Sequence, residues 1–94
     1  MNTRELNSLL NDLPPVVPVL DADYNVIKHE APKASIRDGR LIISSEFGNN
    51  HYILDYYGDY NGGSSYIDRT LEKWAEERGL YWEWYNPAFI YLAD

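Results

Sequence analysis

The stretch SSYIDRTLEKWAEERG, residues 64–79, predicts the main helix of this chain and thereby its fold class. Ser65, followed three positions later by Asp68, matches a capping box, in which two side chains satisfy backbone N–H groups at a helix start. Gly79 suits the left-handed conformation that commonly ends a helix. We therefore expect a helix over residues 66–78. Its apolar residues recur at helical spacing and share one face: Ile67, Leu71, Trp74 and Ala75.

A short N-terminal helix is predicted over residues 3–12. Its leucines follow the helical period, and the consecutive prolines Pro14 and Pro15 stop the helix. A helix of about ten residues is not stable alone, so we expect the leucine face to dock within the chain. The alternative is that this face meets a second copy or a partner. The leucines concerned are Leu6, Leu9, Leu10 and Leu13.

The remaining segments alternate β-prone residues with turn residues. Pro18 cannot donate a ladder hydrogen bond, which makes the first of these segments an edge strand or an extended arm. Asp38-Gly39 suits a type I′ turn and predicts a hairpin. The order of elements predicts one α+β domain over residues 1–94, with a mostly antiparallel sheet and the main helix packed on one face. The predicted strands are residues 14–20, 24–29, 34–37, 40–46, 51–57, 80–85 and 89–92.

The strand at residues 80–85 carries two of the three tryptophans. Trp82 and Trp84 lie two positions apart and therefore share one face of the strand. We expect both to pack beneath the main helix beside Trp74, because burial of an indole ring contributes strongly to a core. The outer face of the strand then presents Tyr81, Glu83 and Tyr85.

The charge is acidic and unevenly distributed. The formal net charge is −7; residues 1–47 hold five Lys/Arg against seven Asp/Glu, and residues 48–94 hold three against eight. This balance argues against direct binding of nucleic acid or of anionic membranes, both of which need a positive surface. It favours a protein partner with a basic surface. Simple solubility is the alternative explanation.

Several kinds of protein are disfavoured by what the sequence lacks. It has no cysteine, no secretory-type start and no apolar run long enough to cross a membrane, so we expect a cytoplasmic protein. His29 and His51 are its two histidines and do not have paired-ligand spacing. No nucleophile or phosphate-loop motif occurs. We expect no enzymatic activity, no cofactor and no metal site.

Two features favour protein binding. Residues 52–66, YILDYYGDYNGGSSY, combine tyrosine with Gly, Ser and Asn, the residues that binding loops favour. The outer face of the main helix carries a row of carboxylates about 6 Å apart, comparable to the spacing of phosphates along a nucleic-acid strand. The alternative is that this face of the helix is simply solvated and that Arg69 and Lys73 form ion pairs with its carboxylates. The candidate partner-binding residues are Tyr56, Tyr57, Asp59, Tyr60, Asp68, Glu72, Glu76 and Glu77.

The size, acidity, tyrosine content and absence of cysteine resemble those of small inhibitors encoded by phages and mobile elements, such as anti-CRISPR and anti-restriction proteins. This resemblance implies a protein that binds a nuclease, or another nucleic-acid-binding protein, as a nucleic-acid mimic. Two alternatives stay open. One is a structural or accessory domain that self-associates, as a homodimer for example, and the other is a small carbohydrate or ligand binder that uses Trp and Tyr faces.

Overall fold

A computed structural model describes residues 1–58 and 63–94 of the 94-residue chain. Two helices, eight strands and one 3₁₀ turn occur in these ranges. In chain order they are α1 (Thr3–Leu10), β1 (Val17–Leu20), β2 (Val26–Glu30), β3 (Ala34–Arg37), β4 (Arg40–Ser44), the 3₁₀ turn (Asn50–Tyr52), β5 (Leu54–Asp55), β6 (Tyr66–Ile67), α2 (Arg69–Glu76), β7 (Tyr81–Asn86) and β8 (Phe89–Ala93).

The strands form three antiparallel sheets. The largest has four strands in the order β3-β4-β8-β7, and the pairs β1-β2 and β5-β6 form separate two-stranded ladders. The predicted α+β architecture with a mostly antiparallel sheet is confirmed. The predicted hairpin between β3 and β4 is also confirmed, because Asp38 and Gly39 have φ angles of 50° and 73°, as a type I′ turn requires.

The core lies between the inner face of the four-stranded sheet and the two helices. Alternate residues of β4 and β8 are almost completely buried, whereas their neighbours lie on the other face. Burial of each large aliphatic side chain contributes roughly 1.5–3 kcal/mol. The buried sheet residues are Leu41, Ile43, Trp82, Ile90 and Leu92, and the helices add Leu6, Leu71, Trp74 and Ala75.

Helix α1 docks within the chain through its leucine face, as predicted. The Asn2 side chain caps it by accepting a hydrogen bond from the Glu5 backbone N–H at 2.8 Å. Leu6 is fully buried, and Leu9 and Leu10 pack against the same core. The helix ends two residues earlier than predicted. The side chain of Leu13 is nevertheless buried.

The indole of Trp82 connects the sheet to α2. Its Nε1–H donates to the backbone carbonyl of Leu71 at 3.1 Å, and its ring stacks on Trp74 with centroids 6.1 Å apart. The predicted position of Trp82 beneath the helix is therefore confirmed. Trp84 is only half-buried and contacts the edge of the Tyr56 ring instead. Helix α2 ends at Glu76, two residues earlier than predicted, and Gly79 has the predicted left-handed conformation with a φ of 71°.

Helix α2 begins later than predicted, and the proposed capping box is wrong. The backbones of Tyr66 and Ile67 form β6 and pair with β5, so these residues cannot take helical dihedral angles. Asp68 caps the helix by accepting a hydrogen bond from Leu71 N–H at 3.0 Å. The Ser65 hydroxyl donates instead to the backbone carbonyl of Tyr56 at 2.7 Å.

The predicted strand over residues 51–57 is also wrong for most of its length. The chain makes a 3₁₀ turn over Asn50–Tyr52, and the strand is limited to Leu54–Asp55. The reason is the side chain of Asn50, which is 1% exposed. Its Nδ2 donates to the carbonyls of Lys33 at 2.9 Å and Ser44 at 2.8 Å, and its Oδ1 accepts from Lys33 N–H at 3.3 Å. This one amide joins the start of β3 to the end of β4.

We expect Asn50→Ala to lower the free energy of unfolding by roughly 2–4 kcal/mol, because it leaves buried backbone groups without partners. Urea unfolding followed by tryptophan fluorescence would measure the loss. Asn49→Ala is the matched control. It removes one hydrogen bond, from Asn49 Nδ2 to the carbonyl of Pro18 at 2.9 Å, and should cost about 1 kcal/mol. Equal losses in the two variants would contradict the special role of Asn50.

Candidate functional site

The two-residue ladder between β5 and β6 brings the tyrosine segment to the start of α2. Leu54 pairs with Ile67 and Asp55 pairs with Tyr66, and the Asp68 N–H donates to the carbonyl of Ile53 at 2.9 Å. Residues more than ten positions apart in the chain therefore lie side by side. The tyrosine segment and the first turn of α2 adjoin there, and we call the following residues the acidic tyrosine surface: Tyr56, Tyr57, Tyr66, Asp68 and Glu72.

The first two tyrosines of this surface differ in how they are held. Tyr56 is 38% exposed, and its ring lies edge-on to Trp84 at a centroid distance of 5.2 Å. The Tyr57 ring contacts Tyr56 in the same edge-on manner at 5.2 Å and is 67% exposed. Tyr56 thus supports a more exposed ring, and Tyr57 is the tyrosine of the pair with more area to offer a partner.

Gly58 fixes the backbone directly after these tyrosines. Its N–H donates to the Asp55 carboxylate at 3.0 Å, and its carbonyl accepts from Gly63 N–H at 2.9 Å. Its φ is 69°, and a β-carbon there would overlap the backbone of Gly63 and Ser64. The position therefore requires glycine for conformation and for space.

The carboxylates of the predicted row have different local roles. Asp68 is half-buried and caps the helix, so its charge serves the fold first. Glu76 forms an ion pair with Arg69 at 3.2 Å, and both side chains are more than half exposed, so the pair contributes little to stability. Glu72 and Glu77 form no ion pair among the described residues. Of the pairs predicted with Arg69 and Lys73, the structure shows the one between Arg69 and Glu76.

The acidic tyrosine surface perturbs one of its own groups. Burial raises the pKa of the Tyr66 phenol, and the negative charges of Asp68 and Glu72 raise this pKa further. Both carboxylates are therefore close enough to Tyr66 to stabilise its neutral form. The phenol stays a hydrogen-bond donor at neutral pH inside a negative field.

Two predicted site residues, Asp59 and Tyr60, lie outside the described residues. The other six predicted residues fall on β5, β6 and α2 or directly beside them. The β5-β6 ladder brings the segment of Tyr56 and Tyr57 close to the start of α2, where Asp68 and Glu72 lie near Tyr66. The row continues along α2 through Glu76 and Glu77. Tyr66 is a further member that the candidate set lacks; its place at the end of the tyrosine-rich segment 52–66 was the available signal.

A second surface lies on the outer face of the four-stranded sheet. Two shallow depressions of ≈ 480 Å³ and ≈ 310 Å³ share Arg37, Ile42 and Phe89 and therefore form one continuous groove. We define this sheet groove by Phe47 at one end, Arg37, Ile42 and Phe89 at its centre, and Tyr85 and Tyr91 at the other end. Tyr85 stacks on Phe89 with ring centroids 4.8 Å apart.

The alternation of residues in β7 predicts its exposed outer face but does not predict this groove. Tyr81, Glu83 and Tyr85 do lie on the outer face and are exposed. The groove forms because β8 lies between β7 and β4, which places Tyr91 opposite Glu83 on one side and Ile42 on the other. Strand order is not a property that alternation within single strands can reveal.

Comparison with known proteins gives no relative: no family model, curated protein or solved structure matches this chain. Over residues 1–58 and 63–94, no group of three or more His, Cys, Asp or Glu side chains is arranged to hold a metal ion. Within the same ranges, no helix is both long and apolar enough to cross a membrane.

We expect Gly58→Ala to lower the free energy of unfolding by roughly 1–3 kcal/mol and to displace Tyr56 and Tyr57, because the new β-carbon meets backbone atoms. Thermal unfolding and the NMR shifts of both rings would measure this. Gly39→Ala is the matched control, since Gly39 has a similar φ of 73° with open space around it. The proposed role of close packing at Gly58 fails if Gly39→Ala costs as much.

We expect Glu72→Gln to lower the pKa of Tyr66 towards its ordinary value, because the substitution removes one of the two nearby charges. Site-resolved NMR titration of the tyrosine ring carbons would measure the shift. Glu77→Gln removes the same charge further along the helix and should leave the Tyr66 pKa unchanged. A pKa that responds equally to both substitutions would exclude a local effect.

Proposed function

We propose that this chain is a protein-binding module that recognises a basic protein surface through the acidic tyrosine surface. The β5-β6 ladder carries this proposal, because it brings the segment that holds Tyr56 and Tyr57 beside the start of α2. We propose binding rather than catalysis. A cytoplasmic site of action suits a chain without cysteine.

The composition of this patch supports binding. Tyrosine is enriched at interfaces, because its ring has a large contact area and loses little conformational entropy on binding. Tyr57 is exposed and is the side chain that would anchor the partner. Its ring packs against Tyr56, which in turn packs against Trp84. Fixing an anchor before binding reduces the entropy cost of association.

The charges indicate which kind of partner fits. The second half of the chain holds eight acidic residues against three basic ones, and Glu72 lies beside Tyr66 in that half. Complementary charge speeds association and selects among partners more than it adds affinity. A partner with a basic surface is therefore favoured.

The most specific form of this proposal is nucleic-acid mimicry. The row from Asp68 through Glu72 to Glu76 and Glu77 would occupy the phosphate sites of a DNA- or RNA-binding protein such as a nuclease, and would thereby inhibit it. The exposed pair between Arg69 and Glu76 can open towards a partner at little cost, since such pairs contribute little. The cap at Asp68 keeps its carboxylate fixed at the first turn of the helix.

We expect Glu72→Lys combined with Glu76→Lys to weaken capture of the partner at least tenfold, on the order of 1.4 kcal/mol or more. The immobilised protein would be incubated with bacterial lysate at low and high salt, and bound proteins would be identified by mass spectrometry. The expected partner is a nucleic-acid-binding protein that high salt releases and that duplex DNA or RNA displaces.

The matched control is Glu5→Lys combined with Asp94→Lys, which changes the net charge equally at positions outside α2, the β1-β2 hairpin and the sheet groove. Both side chains are exposed. Circular dichroism would verify that each double variant folds. If both double variants lose capture equally, net charge alone explains the effect. If capture is unchanged with Glu72→Lys and Glu76→Lys, the carboxylates of α2 do not contact the partner. A partner that nucleic acid does not displace would retain protein binding and exclude mimicry.

A further inference from the structure

A hairpin arm projects apolar side chains into solvent. Strands β1 and β2 pair with each other in a sheet separate from the other strands, and all five residues of β2 are exposed. Tyr24 at its tip is 80% exposed, and Val26 and Ile27 are 53% and 61% exposed. We define the hairpin arm as residues 17–30. Exposed apolar groups clustered in this way are typical of an interaction surface.

The tip of the hairpin arm is held in one conformation by Asp21. Its carboxylate accepts hydrogen bonds from the backbone N–H groups of Asp23 at 2.8 Å and Asn25 at 2.9 Å. These hydrogen bonds, chiefly the one from Asn25, lower the pKa of the Asp21 carboxyl. Tyr24 has a φ of 63°, an unusual value for a bulky residue, and its ring is directed outward by a fixed turn. A pre-ordered arm has little entropy to lose on docking.

The base of the hairpin arm is attached to the body of the protein. Val17 is 2% exposed, and the carbonyl of Pro18 accepts a hydrogen bond from Asn49. Strand β2 ends at Glu30, three residues before Lys33, which lines the larger depression of the sheet groove. The arm and the groove therefore begin next to each other on the surface.

The sheet groove combines apolar side chains with a small excess of cations. Besides Ile42, Phe89 and its other aromatic residues, it is lined by three cations, Lys33, Arg37 and Arg40, and by two carboxylates, Asp38 and Glu46. None of these three cations forms an ion pair within the described residues. Arg40 instead lies over the Tyr91 ring at 4.5 Å, and the Tyr91 hydroxyl donates to Glu83 at 2.8 Å. Three of the eight Lys/Arg residues of an acidic chain thus lie along one groove.

We propose that two copies of this chain form a reciprocal dimer in which the hairpin arm of each copy lies in the sheet groove of the other. The arm combines apolar side chains with three carboxylates and one cation, and the groove combines apolar side chains with three cations and two carboxylates, so the two surfaces have opposite net charge. The groove volume is in the range that accommodates a few side chains. A nucleic-acid strand is disfavoured as the occupant, because the chain carries a net charge of −7.

A reciprocal arrangement follows from the adjacency of arm and groove. In a two-fold dimer, a contact from the first copy to the second is repeated from the second to the first, so both grooves and both arms are covered. The dimer uses neither α2 nor the tyrosines of the acidic tyrosine surface. It is therefore independent of the proposed function, and each of the two proposals can fail without the other.

The test is sedimentation velocity from about 1 μM to about 1 mM protein, which spans weak to moderate affinities. The wild-type mass should rise from 10.9 kDa towards twice that value. Tyr24→Asn combined with Ile27→Thr removes the apolar tip, while asparagine accepts the positive φ and threonine keeps the branched shape of a strand residue. This double variant and Arg37→Glu should each weaken dimerisation at least tenfold. A monomer at every concentration, or unchanged affinity in these variants, would overturn the proposal.

A charge swap tests the pairing directly. Asp23→Lys alone removes the net negative charge of the arm and places a cation against the cations of its own groove, and Arg37→Glu alone gives an acidic groove that its own acidic arm repels. Mixed together, the two variants should form a heterodimer at least tenfold tighter than either homodimer, because both contacts are then complementary. The charge-matched control is Arg4→Glu on α1, an exposed residue that should dimerise as the wild type does. The proposal fails if the mixture gains nothing or if the control weakens equally.

Discussion

A chain of 94 residues has little material with which to cover a four-stranded sheet, and this shortage shapes the described structure. Both described helices contribute to the one core on the inner face, where Leu6, Leu71 and Trp74 are buried with the sheet residues. Within the described ranges, the outer face is left with its aromatic and cationic side chains in a groove. The Trp82 side chain stays in the core, and its Nε1–H donates a hydrogen bond to a backbone carbonyl of α2.

Side-chain hydrogen bonds, rather than long ladders, position the parts that lie outside this core. Asn50 joins the start of β3 to the end of β4, and Asn49 holds the base of the hairpin arm. Ser65 and Gly58 fix the tyrosine segment beside α2. Small polar residues and glycine suit this task, because they reach nearby backbone groups and need little space. The surfaces proposed for binding are therefore supported by the rigid parts of the fold.

The two proposed surfaces differ in charge, and the partners proposed for them therefore differ as well. The acidic tyrosine surface presents carboxylates close enough to raise the pKa of Tyr66. The sheet groove presents cations that the rest of the described chain does not neutralise through ion pairs. Separation of charge on one small protein allows one surface to serve a basic partner and the other a second copy of an acidic chain.

The sequence alone determined those features that depend on neighbours along the chain. Periodicity predicted both helices and the leucine face of α1, Asp38-Gly39 predicted its turn, and alternation placed Trp82 inward and Tyr85 outward. The tertiary structure decided the conformation of residues for which local signals compete. Ser65 and Asp68 match a capping box, yet pairing with β5 removes Tyr66 and Ile67 from the helix, and Asp68 becomes its cap. The segment that begins at Asn50 has a strand-like composition but makes a turn, because the Asn50 amide forms hydrogen bonds with the backbone of Lys33 and Ser44. The groove arises from strand order, since hydrogen bonds between distant strands bring together side chains that no local pattern relates.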